Sequence, residues 1–500
     1  MNYNVKSVLG VSWGDEGKGK VINALSSNII NKGVEYVCNM FDTEIKILGY
    51  SIRSNGGPNG GHALVAENGV KVTGHVLPST ITKKGFVNIV GAGCVVDLAG
   101  LKKEIDEFKE NNLFIGKLII DPRVNIIIEA YRALDGFRGK FSTGSGIADV
   151  YGHAAKRDGL CMADVVESDK RKLDLKLSKL SKSLRAEFDG IVKERDNVKQ
   201  DVILNFEKIT DVEFLKEHIS KYNKIFGELV NFKICTELPK DVLRGVPLLN
   251  ETSQSYFLSL SQNNQNGTSS IVDPNWVFIS QGIPIVPQEI HMITKLFPSR
   301  VGNGAFIGEF GDRDLAPNRC GTLEKYKLDF DSTENDFLEV VKQNPNDREV
   351  LGDVLRLVYN EFGETTGRAR GKAPLDLTYL RTLYTNIAAS PVNKSYLWIN
   401  QVDVANEIFD KIPFIESYEF EDETIEEYLT IRANCDNEKM SANIVEFDSW
   451  KGDLVPNQSE LPEELNEMIN YIKYQTKLSV GGIGVGRKDL DLIYIDYKNN

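Results

Sequence analysis

Val5-Lys6-Ser7-Val8-Leu9-Gly10-Val11-Ser12-Trp13-Gly14-Asp15-Glu16-Gly17-Lys18-Gly19-Lys20-Val21-Ile22-Asn23-Ala24-Leu25 decides the fold class. Val5, Val8, Leu9 and Val11 make a short apolar run that reads as a buried strand, and Val21 to Leu25 begin a helix. Between them lie three glycines interspersed with charges. Strand, Gly-rich loop and helix in that order turn backbone N–H groups and a helix N-terminus toward an anion. Working outward, Asn88–Val96 (NIVGAGCVV) and Lys117–Asp121 (KLIID) read as further buried strands, with Leu101–Asn111 as the helix between them. This alternation predicts an α/β fold with a mostly parallel sheet and helices on its faces.

The chain has 500 residues, enough for one elaborated domain or several ordinary ones, and its 41% apolar and 26% charged residues are ordinary globular composition. A formal net charge of −13 disfavours a broad nucleic-acid surface but leaves room for a local phosphate pocket. Cys38, Cys94, Cys161, Cys235, Cys320 and Cys435 are scattered without a CxxC pair, which reads as reduced thiols in the cytoplasm. No signal peptide and no bilayer-length apolar run is visible, so the expectation is a soluble intracellular protein with neither a nucleic-acid nor a membrane partner.

No internal repeat or Pro/Ser-rich linker divides the chain, and a single elaborated domain over 1–500 is expected. A charged, regularly amphipathic stretch marks a helical insertion at about 165–235, with DKRKLDLKLSKLSKSLRAEF as its core. Segments at about 38–55 and 312–353 read as enlarged loops, and the acidic run Glu416–Glu427 as a surface elaboration.

The loop Trp13–Lys20 carries the strongest chemical signal. Its glycines permit close backbone approach to phosphate oxygens, and Lys18 and Lys20 add positive charge. The spacing is not GxxxxGK[ST], which excludes an ordinary P-loop ATPase. Carboxylates at Asp15 and Glu16, where phosphate would bind, make sense as a Mg²⁺ ligand or a base. A second Gly-rich loop, Asn55-Gly56-Gly57-Pro58-Asn59-Gly60-Gly61-His62, can bring carbonyls and an imidazole to a ligand. A lone His after a flexible loop is, by itself, more often structural.

Together these loops resemble the adenylosuccinate synthetases, whose pattern is WGDEGKGK followed by a Gly/Asn-rich loop ending NxGH. The likeness continues in order along most of the chain. It runs through VTGHVLPS (Val72–Ser79), Ser142-Thr143-Gly144-Ser145-Gly146-Ile147, Tyr151 with Lys156-Arg157-Asp158-Gly159-Leu160, and Glu251-Thr252-Ser253-Gln254. It then takes in Ser299-Arg300-Val301-Gly302-Asn303-Gly304, Phe362–Arg370 (FGETTGRAR), Asn400-Gln401-Val402-Asp403 and Leu478–Arg487. Each match is short, but their shared order makes coincidence implausible.

The resemblance implies a large, mostly parallel central sheet with helices on both faces, a P-loop-like nucleotide-binding core, and helical and loop insertions. It implies a ligase that joins L-aspartate to C6 of a purine nucleoside monophosphate, with GTP as phosphate donor and a 6-phosphoryl intermediate. Asp15 would be the general base and a Mg²⁺ ligand, His62 the general acid, with Lys18 and Gln254 completing the catalytic set. The Gly61 carbonyl would share the metal. Asn59, Thr143, Arg157, Gln254, Leu258 and Thr268 map onto monophosphate-nucleotide contacts, Arg157 reaching across a homodimer interface. Thr365, Thr366, Arg368 and Arg370 map onto the loop that binds aspartate, and two guanidiniums at alternate positions can clamp a dicarboxylate. Glu16, Gly17, Lys18, Gly19, Lys20, Asp403, Gly484 and Gly486 map onto the GTP site, with Asp403 reading the guanine.

Several positions depart from the family pattern. Ser145 replaces an arginine, Gln401 the lysine of a TKLD element, Ser253 and Ser255 flank Gln254 in place of Ala and Gly, and Pro58 stands where His is usual. Viral relatives act on dGMP, with GTP or ATP as donor, and tend to lack Asp at the base position; the retained Asp15 favours IMP. An inactive nucleotide-binding homologue is the alternative of a different class, against which stands the joint retention of Asp15, Lys18, His62, Thr366 and Arg368.

Overall fold

The structure, a computed structural model, describes residues 3–65, 70–138, 144–195, 198–263, 267–284, 286–300, 302, 304–363, 367–389, 393–428, 439–488 and 490–497. The chain divides into two compact units. The first comprises Met1–Val5, Ile29–Ser253 and Ser269–Pro287; the second comprises Lys6–Asn28, Gln254–Thr268 and Gln288–Asn500.

In the first unit a parallel run of strands follows the order Leu248–Ser255, Gly49–Gly56, Phe86–Asp97 and Lys117–Ile120, with Asn125–Ile127 also pairing to Phe86–Asp97. Gly49–Gly56 is buried at every position, so the last seven residues of the expected enlarged loop at 38–55 belong to a central strand. Asp97 caps the helix Leu98–Glu110 by accepting the Gly100 N–H at 3.0 Å. Amphipathic helices at Lys170–Lys193, Gln200–Ile209 and Val212–Phe226 bury one stripe each, with Leu173, Leu177, Leu180, Leu184 and Phe188 on the longest. These side chains join the core built on Val90, Val96 and Ile126.

In the second unit the order is Leu492–Tyr494, Ser479–Gly484, Lys394–Asn400, Glu289–Lys295 and Val5–Gly10, all parallel except the edge strand Leu492–Tyr494. A smaller sheet surrounds Lys411–Phe420, which pairs antiparallel with Glu423–Ile425 and Met440–Asp448. The acidic run therefore lies in a hairpin, with acidic side chains alternating with buried Ile415, Tyr418 and Phe420.

The segment 312–353 is not a loop either. It carries helices Arg319–Lys325 and Glu334–Gln343 and the start of Arg348–Tyr359. The last of these is buried from Val350 to Val358, including Asp353 and Arg356. Those two charges pair with each other at 2.7 Å, and Asp353 also takes Lys325 at 2.7 Å, so charges that read as a solvated surface satisfy one another inside.

The predicted first helix starts earlier than its apolar run, at Lys18, because Lys18-Gly19-Lys20 forms its first turn without apolar periodicity. The mostly parallel α/β architecture expected from the alternating pattern is the one the chain adopts. No helix among the described residues is long and apolar enough to cross a membrane.

Candidate active site

The second unit gathers its functional side chains at the carboxyl ends of its parallel strands, where α/β sheets bind ligands. Strand Val5–Gly10 leads into a loop in which Gly14, Asp15 and Gly17 all have positive φ (108°, 56° and 85°). A non-glycine residue in this region stores of order 1 kcal/mol of strain, so Asp15 is held there by its surroundings.

Glu16 is one such support. Fully buried, it accepts N–H bonds from Gly14 (2.9 Å) and Ser12 (3.3 Å) and the Ser255 hydroxyl, and pairs with Lys18 at 3.1 Å. Burial alone would raise its pKa, but Lys18 and these hydrogen bonds outweigh it and hold the carboxyl below its usual range. The Glu16 side chain thus braces the loop from within, leaving ligand contact to the backbone. Asn400 holds the loop from the other side, donating to the Glu16 carbonyl at 2.7 Å. A Cβ on Gly17 would come 2.8 Å from the Asn400 amide nitrogen, so only glycine lets the turn close this tightly.

Lys18 opens the helix Lys18–Lys32, and its ammonium also donates to the Gln254 carbonyl at 2.9 Å. Gln254 itself has φ 64°. Lys20 donates to the Gly486 carbonyl at 2.6 Å, and the Val402 N–H to the Gly484 carbonyl at 3.1 Å. Lys20, Gly484, Gly486 and the Gln401–Asp403 turn are therefore tied into one rim. Leu258 is buried in a short 3₁₀ turn, and its carbonyl accepts the Thr268 N–H at 2.6 Å.

Asp15 stays half-exposed, with 49% of its side chain open to solvent. Arg370 pairs with its carboxylate, and Lys295 approaches to 4.0 Å. Behind both cations lies Glu361, 1% exposed, which pairs with Lys295 at 2.6 Å, Arg370 at 3.0 Å and Lys372 at 3.3 Å. Burial opposes its ionisation, yet the three cations hold the carboxyl far below its usual range. Burial pushes Lys372 down to about 7 against the pull of Glu361. Arg368 points elsewhere: it pairs with Asp314 at 3.2 Å, and with Arg313, Asp314, Asn318 and Gly367 it lines a cavity of about 300 Å³. Thr365 and Thr366 lie outside the described residues.

In the first unit, Asn59 and Gly61 are exposed in the second Gly-rich loop. His62 starts the strand His62–Val65, which pairs with Lys71–Gly74; its side chain lies outside the described residues, as does Thr143. Sequence reasoning missed His75 here. Its Nδ1 is 2.8 Å from the Gly60 carbonyl, and Glu104 accepts the N–H groups of His75, Val76 and Leu77. The VTGHVLPS segment fits the family pattern, but nothing local reveals which loop it braces. Arg157 is exposed in a left-handed cap (φ 63°) after the helix Ile147–Lys156.

Lys295, Glu361 and Lys372 also escaped sequence reasoning. Lys295 ends an apolar strand, and Glu361 stands just before the FGETTGRAR stretch, which was the available signal. A magnesium ion prefers few protein ligands and several phosphate oxygens. The half-exposed Asp15 carboxylate, beside a loop with open backbone geometry, suits that chemistry.

The adenylosuccinate synthetase family profile matches residues 7–493. The chain is 28% identical to an adenylosuccinate synthetase from Acetivibrio thermocellus, covering 98% of this chain and 99% of that protein. It is also 28% identical to the one from Clostridium kluyveri, over 96% and 97%. Its fold is similar to that of the fully ligated adenylosuccinate synthetase from Plasmodium falciparum, with a TM-score of 0.68, 20% identity, and coverage of 99% and 100% of the two chains. With a family match along nearly its whole length, the chain belongs to the adenylosuccinate synthetase family of ligases.

Proposed function

We propose that the protein joins L-aspartate to C6 of IMP at the expense of GTP, releasing adenylosuccinate, GDP and phosphate. The observation that carries this reading is Asp15: a half-exposed carboxylate held in a left-handed turn of a glycine loop, between the cations Arg370 and Lys295. A base kept open to solvent in a fixed orientation suits proton removal from a bound substrate.

In this reading Asp15 accepts the N1 proton of IMP. The 6-oxygen, now carrying the negative charge, attacks the γ-phosphorus of GTP, and the bond to GDP breaks. The amino group of aspartate then displaces phosphate at C6. The loop amides and Lys18 cradle the transferring phosphoryl group, and Gln254 and His62 complete the catalytic set. Bound Mg²⁺ on Asp15 and the Gly61 carbonyl would supply charge neutralisation on the phosphates. Arg368 and Arg370, with Thr365 and Thr366, take the aspartate carboxylates; for Arg368 the cavity it lines with Arg313 supports that role. Asp403 reads guanine, beside Gly484 and Gly486. Asn59, Thr143, Leu258 and Thr268 contact IMP, and the exposed Arg157 reaches the partner's nucleotide in a homodimer, in the cytoplasm.

The retained Asp15 favours IMP over dGMP, and the serines that flank Gln254 do not speak against it. Arg53 donates to the Ser253 hydroxyl at 2.8 Å, and the Ser255 hydroxyl bonds to Glu16, so both are engaged in structural contacts. The purified protein with Mg²⁺, GTP, IMP and aspartate should release phosphate only when all three substrates are present. Release without aspartate would indicate a GTPase, no release with any purine an inactive homologue, and faster turnover with dGMP or ATP would reverse the assigned specificity.

A further inference from the structure

We propose that Tyr359 and Lys372 are positioning residues for Asp403, and that Lys372 supplies the cation that position 401 lacks. This deepens the reading of Asp403 as the guanine-reading group and rests on it.

Gln401 has φ 59° and turns the chain from the end of strand Lys394–Asn400 toward Asp403. Such a turn in a non-glycine residue needs support, and three contacts give it. The Tyr359 hydroxyl donates to the Gln401 carbonyl at 3.1 Å and lies 3.5 Å from an Asp403 carboxylate oxygen. The Lys372 ammonium donates to the Gln401 side-chain oxygen at 3.1 Å, and the Gln401 amide donates to Glu361 at 3.0 Å. Lys372 also sits 5.5 Å from the centroid of the Tyr359 ring, near enough for a cation–π attraction.

The chemistry explains why this turn carries an amide. Glu361 already pairs with Lys295, Arg370 and Lys372. A lysine at 401, as in the TKLD pattern, would bring a fourth cation against one carboxylate. An amide instead accepts from Lys372 and donates to Glu361 at the same time. Lys372 is fully buried, so its ammonium is fixed at the turn by packing and does not depend on ligand. Glutamine at 401 and lysine at 372 are thus complementary, and the pair hands the position of Glu361 on to the turn that carries Asp403.

The test is steady-state kinetics with GTP and with ATP on the wild-type protein and on Tyr359→Phe, Lys372→Met, Gln401→Lys and the swap Lys372→Gln/Gln401→Lys. Tyr359→Phe and Lys372→Met should raise KM for GTP about fivefold or more and lower the preference for GTP over ATP. Their kcat at saturating GTP should stay within about twofold of wild type, because neither residue touches the reacting atoms. Gln401→Lys alone should be worse than the swap, in which the cation has simply moved. Thermal unfolding of each variant identifies any that fail to fold; Tyr359→Phe, which removes one oxygen, is the conservative arm. Unchanged KM and unchanged GTP preference in Tyr359→Phe overturn the proposal, as does a swap no better than Gln401→Lys. A wild-type protein with no preference for GTP removes the reading of Asp403 and this inference with it, whereas a GTP-selective wild type with unaffected variants removes this inference alone.

Discussion

Replacing Glu361 by Gln keeps the shape of the side chain and removes one negative charge from a site 1% exposed to solvent. Around it stand Lys295 at 2.6 Å, Arg370 at 3.0 Å and Lys372 at 3.3 Å, with the Gln401 amide donating at 3.0 Å. All four neighbours are donors, so a new amide NH₂ at 361 would face donors only. Breaking one buried ion pair costs about 3–5 kcal/mol, because the remaining charge is left in a poorly polarisable interior. Asp15 relieves part of that cost, since it pairs with Arg370 and lies 4.0 Å from Lys295. The expected loss is therefore near the lower end, about 3 kcal/mol, falling mainly on Lys295, since Lys372, already down at about 7, can shed its proton once Glu361 is neutral. Urea unfolding followed by tryptophan fluorescence measures it, since Trp13 and Trp398 are buried in the same unit. The double variant Glu361→Gln/Lys295→Met should recover at least half of the loss, because it also removes the stranded cation. A single-variant loss under about 1 kcal/mol, or a double variant no more stable than the single, would refute the idea that Glu361 neutralises this cluster.

Asp15→Asn should lower kcat by at least ~10²-fold with little change in folding stability, since removing a general base commonly costs that much; near-normal turnover would contradict its role. Gly17→Ala should destabilise the protein by about 1 kcal/mol or more in urea unfolding and weaken GTP binding, because φ is 85° and the new Cβ would press on Asn400; a stability equal to wild type would show that the loop has room. Glu289 gives a pH prediction: burial raises its pKa, but hydrogen bonds from His291 and Lys6 and the charge of Lys6 win, and the carboxyl falls to about 2. A depressed folded-state value stabilises the protein above the unfolded value near 4.5 and is lost as pH falls from there through about 2. Glu289→Gln should flatten the acid limb of the stability curve over that window by up to about 3 kcal/mol, and a limb identical to wild type would exclude the pair as its source.

The glycine loop, the first strand and helix and the alternating pattern were all local features, and local features are what a linear sequence displays: apolar periodicity, glycine spacing and the order of short motifs. They sufficed for the α/β class and the family resemblance, and they pointed to Asp15, Lys18, Arg370 and Asp403 as candidates. The same locality misled at 38–55, which ends in a buried strand, and at 312–353, where Asp353 looks solvated. Whether a polar residue is inside depends on partners far away in the chain. Glu361 shows this best: its partners Lys295 and Gln401 lie 66 and 40 residues away, and no spacing rule links them. Glu16 likewise reads as a ligand-facing carboxylate until the buried Ser255, 239 residues distant, is seen to turn it inward. Sequence alone thus determined which chemical groups the loops carry. Tertiary structure decided which of them face solvent and which neutralise one another, because the cost of burying a charge is set by its spatial neighbours and not by its position in the chain.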